Sequence, residues 1–243
     1  MADFESTLQK IKTRGYWQVN IRPAQIQENV VESVAKVKEI VQASSVQFRG
    51  WDYPHFPTQT KDNQDVYVGE NDSVEGWIDW ENFKEVWRFH TNGQFIHLFG
   101  MREDWWEEHS WLNPDDPLRK IKPGTILEVI STVYSLTEMY AFFSNLVQNL
   151  AVEEVTVEIS LIGTKDRKLH ISDFRRAPLF MDYSCRLEKV NLPKKTYKRA
   201  DLVANYADLA FDQLIYLFNR FNWDNPNAAV IKEDQKKLIE RRI

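Results

Sequence analysis

The sequence predicts an α+β fold in which mostly antiparallel strands pack against three principal helices. An Asn-Gly dipeptide at 92–93 lies between two stretches rich in β-branched and aromatic residues, which is typical of a hairpin. Thr125 and Glu128 match the Ser/Thr-x-x-Glu capping pattern, and no Pro or Gly follows up to Leu150. Residues 155–161 alternate apolar and polar side chains, as in a strand with one buried face.

The first third of the chain predicts a strand, a helix and a second short strand. Residues 16–21 alternate as a strand, and Pro23 suits the first turn of a following helix. That helix is expected over residues 24–41, because apolar side chains recur there at spacings of three and four. They are Ile26, Val30, Val34, Val37 and Ile40. Residues 45–49 then predict a short strand.

The hairpin is expected to have a two-residue type I′ turn at Asn92-Gly93. This register pairs Trp87 with Leu98 on one face of the hairpin, and it places His90 and His97 together on the other face. With a further strand over 73–79, the middle of the chain predicts an antiparallel meander.

The last third predicts a buried helix up to Leu150 and then a second hairpin. Residues 168–171 are expected to pair with strand 155–161, and residues 185–190 to form one more strand. A third helix is expected over 201–221. The whole chain, 1–243, is interpreted as one α+β domain with a charged, frayed terminal helix at 231–243.

Composition excludes several classes of protein. At 43% hydrophobic and 28% charged residues the chain is typical of a globular protein, and Cys185 alone cannot form an internal disulfide or a multi-cysteine metal site. With no secretory signal and no apolar stretch of membrane-spanning length, we expect a cytoplasmic protein that does not bind membranes. No two of the eight glycines lie close enough for a Walker A loop or a dinucleotide-binding fingerprint.

The segment Arg49-Gly-Trp-Asp-Tyr-Pro-His55 concentrates binding chemistry in seven residues. Trp51 or Tyr53 could stack on a nucleobase while Arg49 meets a phosphate, and Asp52 and His55 supply a carboxylate and an imidazole. Alternatively, the rings fill the core and Arg49 pairs with Asp52. Both interpretations stay open at this point.

This segment, together with Phe218-Asn-Arg-Phe-Asn-Trp-Asp224, resembles an uncharacterised bacterial family. Members of that family are sometimes associated with Schlafen-type nucleic-acid-binding or ATP-binding regulators. The resemblance implies a bacterial regulatory setting, including antiviral defence. It implies no catalytic residues and no cofactor.

His90 and His97 are candidate metal ligands, since two imidazoles with a nearby carboxylate can bind zinc. Two histidines without an identified third ligand are an incomplete set, so we expect no metal and no cofactor. A metal-dependent hydrolase at these histidines is the third functional hypothesis.

Charge is unevenly distributed along the chain. Residues 61–117 hold 14 acidic and four basic side chains, whereas residues 163–200 hold 11 basic and four acidic ones. The densest basic cluster lies just before the third helix and consists of Lys194, Lys195, Lys198 and Arg199. Such a cluster could contact phosphates or an acidic protein surface. The overall charge of −5 favours an acidic protein surface over a nucleic acid as the partner of this cluster.

Six of the nine tryptophans lie in the acidic segment. Trp105, Trp106 and Trp111 are candidates for an interaction surface, because tryptophan is enriched at binding hot spots, or else they seal one end of the sheet. We therefore expect a non-catalytic protein-interaction module of a bacterial multi-component or regulatory system, which binds a protein partner or itself. The alternative is a nucleic-acid- or nucleotide-binding protein that uses Arg49, Trp51 and the basic cluster within 186–199.

Overall fold

A large antiparallel sheet forms the centre of the computed structural model, which describes residues 2–25 and 27–243. The strands are β1 (Tyr16–Pro23), β2 (Gln64–Val68), β3 (Ser73–Trp80), β4 (Phe83–His90), β5 (Phe95–Gly100), β6 (Ile126–Glu128), β7 (Glu154–Ile162), β8 (Lys168–His170), β9 (Lys189–Asn191) and β10 (Lys195–Lys198). Their order in the sheet is β10-β7-β1-β5-β4-β3-β2, with β9 also pairing with β7. Strands β6 and β8 form a separate parallel pair.

The helices cover both faces of this sheet. They are α1 (Phe4–Ile11), α2 (Val34–Ser44), α3 (Val129–Gln148), α4 (Arg199–Arg220) and α5 (Ala228–Ile239). On one face, side chains from β1, β4 and β7 share a hydrophobic core with α2, α3 and α4. On the other face, α1 packs Ile11 against Trp77 and Val86. The predicted α+β class is confirmed.

The predicted central helix is confirmed in α3, which is buried along most of its length. Its start differs from the prediction, because Glu128 is the N-cap and accepts a hydrogen bond from the backbone of Ser131. Thr125 lies before β6, so the Thr125–Glu128 capping box does not form. Strand β8 pairs in parallel with β6 and not with β7, so the predicted second hairpin is wrong.

Helix α2 is shorter than predicted. Pro23 ends β1, and the helix begins only after Ser33, whose hydroxyl caps the backbone of Lys36 at 3.2 Å. Residues 27–33 are not helical, and Ile26 lies outside the described residues. The carbonyl of Thr91 binds the two amides of Val30 and Val31, so this segment is tied to the hairpin tip.

The β4–β5 hairpin is confirmed, but its register differs by one residue. The amide of His90 binds the carbonyl of Gln94 at 2.9 Å, which leaves a three-residue loop whose last residue, Gly93, has φ +82°. A type I turn followed by a left-handed glycine produces this geometry. Trp87 therefore pairs with His97. Because side chains alternate along a strand, His90 and His97 lie on opposite faces of the sheet.

Near the C-terminus, α4 confirms the predicted third helix, and β9 covers only the end of the predicted strand 185–190. Helix α5 begins before the predicted terminal helix. It is anchored, because Ile231 and Leu238 are buried on one side of it. No helix in the described part of the chain is long and apolar enough to cross a membrane.

Candidate functional site

The Arg49–His55 segment forms a loop that closes on itself beside the sheet. Val46 and Tyr53 exchange two backbone hydrogen bonds of 2.8 Å, and this isolated bridge replaces the predicted strand 45–49. The bridge turns the side chains of the segment toward β4, β5 and α3.

Glu85 on β4 is the centre of a buried hydrogen-bond network formed with Trp51, Tyr53, His55 and His97, called here the Glu85 network. Its carboxylate accepts hydrogen bonds from the Trp51 indole at 3.1 Å, the His55 amide at 3.3 Å and His97 Nε2 at 2.8 Å. Burial raises the pKa of Glu85, but the hydrogen bonds from His97 and Trp51, together with the nearby imidazoles of His97 and His55, outweigh burial and hold that pKa below its usual value. The carboxylate is therefore ionised, and both of its oxygens accept hydrogen bonds from within the fold.

His97 connects this carboxylate to Tyr53, whose hydroxyl lies 3.0 Å from His97 Nδ1. Burial, together with the charges of Glu85 and Glu138, raises the pKa of Tyr53 well above its usual value. The hydroxyl therefore keeps its proton at neutral pH, and the two ring nitrogens of His97 bridge this hydroxyl and the Glu85 carboxylate. Every polar side-chain atom of Glu85, His97 and Tyr53 therefore has a hydrogen-bond partner, as buried polar groups require.

The Trp51 ring is enclosed in an aromatic stack. The His55 ring lies 4.1 Å and the Phe83 ring 4.0 Å from it, both nearly parallel. Two rings at this distance from one centroid must lie on opposite faces, so neither face of Trp51 remains for a nucleobase. Arg102 extends the stack, with its guanidinium 4.3 Å from the Phe83 ring. The prediction that Trp51 stacks on a base is therefore not supported by the geometry.

The imidazole of His55 is held by the neighbouring carboxylate of Asp52, which also accepts a hydrogen bond of 3.1 Å from the amide of Phe56. Burial lowers the pKa of His55, but the hydrogen bond to Asp52 and the charges of Glu85 and Asp52 together outweigh burial, so the pKa lies above its ordinary value. Arg49, in turn, forms two hydrogen bonds of 2.8 and 2.7 Å with the buried Glu138 of α3. It does not pair with Asp52, and its guanidinium is occupied in joining the loop to α3.

The tryptophans of the acidic segment divide into two groups. Trp105 and Trp106 lie on a 3₁₀ helix, Arg102–Glu108, and both rings are buried. Arg14 lies 4.0 Å above the Trp105 ring. Of the two alternatives for these rings, an interaction surface or a seal at one end of the sheet, their burial favours a structural role inside the fold. Trp111 is 80% exposed.

The predicted basic cluster lies on an edge strand of the sheet, in and around β10. Lys194 forms an ion pair of 2.8 Å with Glu158, and Arg199 donates a hydrogen bond of 3.3 Å to the carbonyl of Gln148. Lys195 and Lys198 belong to β10 itself. Lysines on an edge strand discourage pairing with other chains, which gives this cluster a structural explanation.

The candidate histidines do not form a metal site. His97 is committed to Tyr53 and Glu85, whereas Nδ1 of His90 lies 3.3 Å from the carbonyl of Asn71 on the opposite side of the sheet. Within residues 2–25 and 27–243, no group of three or more His, Cys, Asp or Glu side chains is placed to hold a metal ion.

A wide cleft of about 1780 Å³ opens along α5 and is called here the α5 cleft. Its walls are one side of α5, the first turns of α3, segments 116–121 and 170–176, and the C-terminal Arg242 and Ile243. The exposed apolar side chains Phe174 and Val230 lie on it, at 95% and 48% exposure. Sequence analysis missed this cleft because its walls come from four distant parts of the chain.

The charges along the α5 cleft are balanced. Its five basic side chains are Arg49, Arg175, Arg176, Lys237 and Arg242, and its five acidic ones are Asp116, Glu128, Asp173, Glu233 and Asp234. Several of them pair with one another, as Arg176 does with Asp234 through contacts of 2.7 and 2.8 Å. The cleft therefore offers apolar contacts without a strong field of either sign.

Comparison with known proteins identifies no relative: no family model, no curated protein and no solved structure matches this chain. The resemblance of the Arg49–His55 segment to a bacterial family remains an expectation.

Proposed function

We propose that this protein is a protein-interaction module and that the α5 cleft is its binding surface. The observation that carries the proposal is the size of the cleft, about 1780 Å³, together with the exposed Phe174 and Val230 on it. Pockets for small molecules are usually about 300–1,000 Å³, whereas exposed apolar patches mark sites of protein association. A segment of a protein partner fits both the size and the chemistry.

The balance of charge in the cleft favours a protein over a nucleic acid. Binding to a phosphate backbone depends on an excess of Lys and Arg, and the cleft has as many acidic as basic side chains. The groups predicted to hold a base and a phosphate, Trp51 and Arg49, are already occupied by His55, Phe83 and Glu138. A bacterial multi-component or regulatory setting, including defence, is part of the proposal and is supported by the resemblance of Arg49–His55 alone.

The proposal is tested by immobilising the wild type and two matched variants, passing a bacterial extract over each, and comparing the proteins that are retained. Val230→Asp adds a charge to the cleft and is compatible with the fold, because Val230 is 48% exposed in the first turn of α5, where an acidic side chain interacts favourably with the helix dipole. Val68→Asp is the control, because Val68 is 68% exposed at the end of β2, outside the cleft.

The expected result is a defined protein that is retained by the wild type and by Val68→Asp and is depleted at least about tenfold with Val230→Asp, as for a hot-spot position. Circular dichroism and thermal unfolding check that both variants are folded. Identical retention by all three proteins would refute the assignment of the cleft as the binding surface.

A further inference from the structure

Glu103, on the 3₁₀ helix, is a buried carboxyl group without an ion-pair partner. It is 4% exposed, and within residues 2–25 and 27–243 no basic side chain forms an ion pair with it. The neighbouring Asp104 is 1% exposed and takes the guanidinium of Arg167 on both of its oxygens. A buried carboxyl group without a counter-ion is more stable as the neutral acid, and a second carboxylate beside it strengthens this preference. Burial accordingly raises the pKa of Glu103 to about 7.

A chain of hydrogen bonds leads from Glu103 to the wall of the α5 cleft. Oε1 of Glu103 accepts a hydrogen bond of 3.0 Å from the amide of Glu128, the last residue of β6. The carboxylate of Glu128 accepts hydrogen bonds from the amide of Ser131 and, at 3.1 and 3.0 Å, from the amide and hydroxyl of Ser172. Glu128, Ser131 and Ser172 all line the cleft. One buried carboxylate therefore joins the start of α3 to the cleft segment 170–176.

We propose that Glu103 is a pH-sensitive switch for the α5 cleft: the neutral carboxyl group holds the junction at Glu128 closed, and the carboxylate favours its opening. This inference rests on the proposed function of the cleft and concerns its regulation. A carboxylate at this buried position is stabilised when the junction opens and water reaches it. Opening breaks the contact with the Glu128 amide and loosens the hold of Glu128 on Ser172, so the cleft wall loses its fixed shape.

The charged groups around Glu103 come from several elements. They are Arg102 and Asp104 on its own helix, Arg167 before β8 and Glu128 on β6. Strands β1 and β5 and helix α3 contribute apolar side chains and hydroxyl groups to the small cavity beside Glu103. On β8, His170 lies directly opposite Glu128. Imidazoles commonly change charge between pH 5 and pH 8, so the experiment has to separate Glu103 from His170.

Hydrogen exchange measured by mass spectrometry at pH 6 and pH 8, corrected for the intrinsic pH dependence of amide exchange, tests the switch without any partner. With a pKa of about 7 when closed and the ordinary 4.5 when open, the opening equilibrium should shift about tenfold between these pH values. We expect this loss of protection in segments 126–132 and 168–174 of the wild type. These segments should also exchange faster than the central strand β5, which reports global unfolding.

Two variants assign the effect to Glu103. Glu103→Gln cannot ionise, so its corrected protection in both segments should change by less than about twofold between the two pH values. The control Glu39→Gln, at an exposed position, should behave as the wild type does. An equal loss in Glu103→Gln and the wild type would assign the pH dependence to His170 and overturn the proposal, as would a wild type with the same protection at both pH values.

Glu128→Gln tests the link to the cleft wall. Gln keeps one acceptor oxygen, so it cannot hold both Ser131 and Ser172, and segment 168–174 should lose protection already at pH 6. Ser172→Ala, which removes only the hydroxyl contact, is the milder variant of the same link and should show a smaller loss. Full protection in both variants would overturn the link.

The exchange measurement and the capture of a partner fail independently. A pH-dependent opening as expected, in a protein that retains nothing from the extract, would refute the proposed function of the cleft and with it the regulation of binding. A partner that is lost with Val230→Asp, in a protein whose exchange does not depend on Glu103, would overturn the switch and leave the proposed function standing.

Discussion

Glu103 is a buried carboxyl group at the start of the 3₁₀ helix, and it makes the stability of the protein depend on pH. Burial raises its pKa to about 7, and the nearby charge of Asp104 adds to the effect. The amide of Glu128, which donates a hydrogen bond of 3.0 Å to Glu103 Oε1, opposes this shift. We predict that Glu103→Gln removes a loss of stability that the wild type suffers as pH rises.

The direction and size of the effect follow from proton linkage. In the unfolded chain this carboxyl ionises near its ordinary value of 4.5, and in the folded protein near 7. The contribution of the group is therefore fully present below about pH 4.5 and is lost as pH rises through 7, because the unfolded state releases the proton first. Between pH 5 and pH 8 the loss amounts to about 2–3 kcal/mol, at about 1.4 kcal/mol per unit of pKa difference.

Urea unfolding at pH 5 and pH 8 measures this difference. Gln keeps an oxygen that can accept the hydrogen bond from the Glu128 amide, but it cannot ionise. Relative to the wild type, the free energy of unfolding of Glu103→Gln should rise by about 2–3 kcal/mol between the two pH values. Glu39→Gln is the control at an exposed position and should change by less than about 0.5 kcal/mol. A change at Glu103 no larger than at Glu39 would refute the reasoning.

Two further predictions concern features that hold the fold together. Asp104→Ala should lower the free energy of unfolding by about 3–5 kcal/mol, because Arg167 would remain as a buried charge without its carboxylate partner. Urea unfolding tests this prediction. The control is Lys232→Ala, which removes one partner of an exposed ion pair and should lower the free energy of unfolding by at most about 1 kcal/mol. Gly93→Val should destabilise by about 1–3 kcal/mol, since φ is +82° and an added Cβ would lie 3.0 Å from Pro23. Thermal unfolding should show no comparable loss for Gly50→Ala, where an added Cβ meets no atom within 4 Å, and equal stability of both variants would contradict the turn geometry.

Much of the fold can be predicted from local patterns. Strand β7 and helices α3 and α4 are evident from the periodicity of their apolar residues, which reflects burial of one side of a strand or most of a helix. The β4–β5 hairpin is evident from Asn92-Gly93, but its register is not. A glycine with positive φ fits both the two-residue and the three-residue loop, and one residue of difference exchanges the faces of the strand.

The candidate site was only half predictable. The sequence places five side chains in one cluster, because all of them belong to one short loop. They are Arg49, Trp51, Asp52, Tyr53 and His55. It does not indicate that Glu85, His97 and Glu138 would bind them, because these partners lie 30 to 89 residues away along the chain. Without those partners, a structural ring and a binding ring have the same local sequence.

The sequence by itself determined the α+β class, the main strands and helices, the uneven charge and the exclusion of glycine-rich phosphate loops. Tertiary structure decided which polar groups are buried and paired, as with Asp104 and Arg167, and it formed the α5 cleft from distant segments. The physical reason is range: periodicity and turn chemistry act within a few residues. Burial, hydrogen-bond pairing and pKa shifts depend on neighbours that come together only when the chain folds.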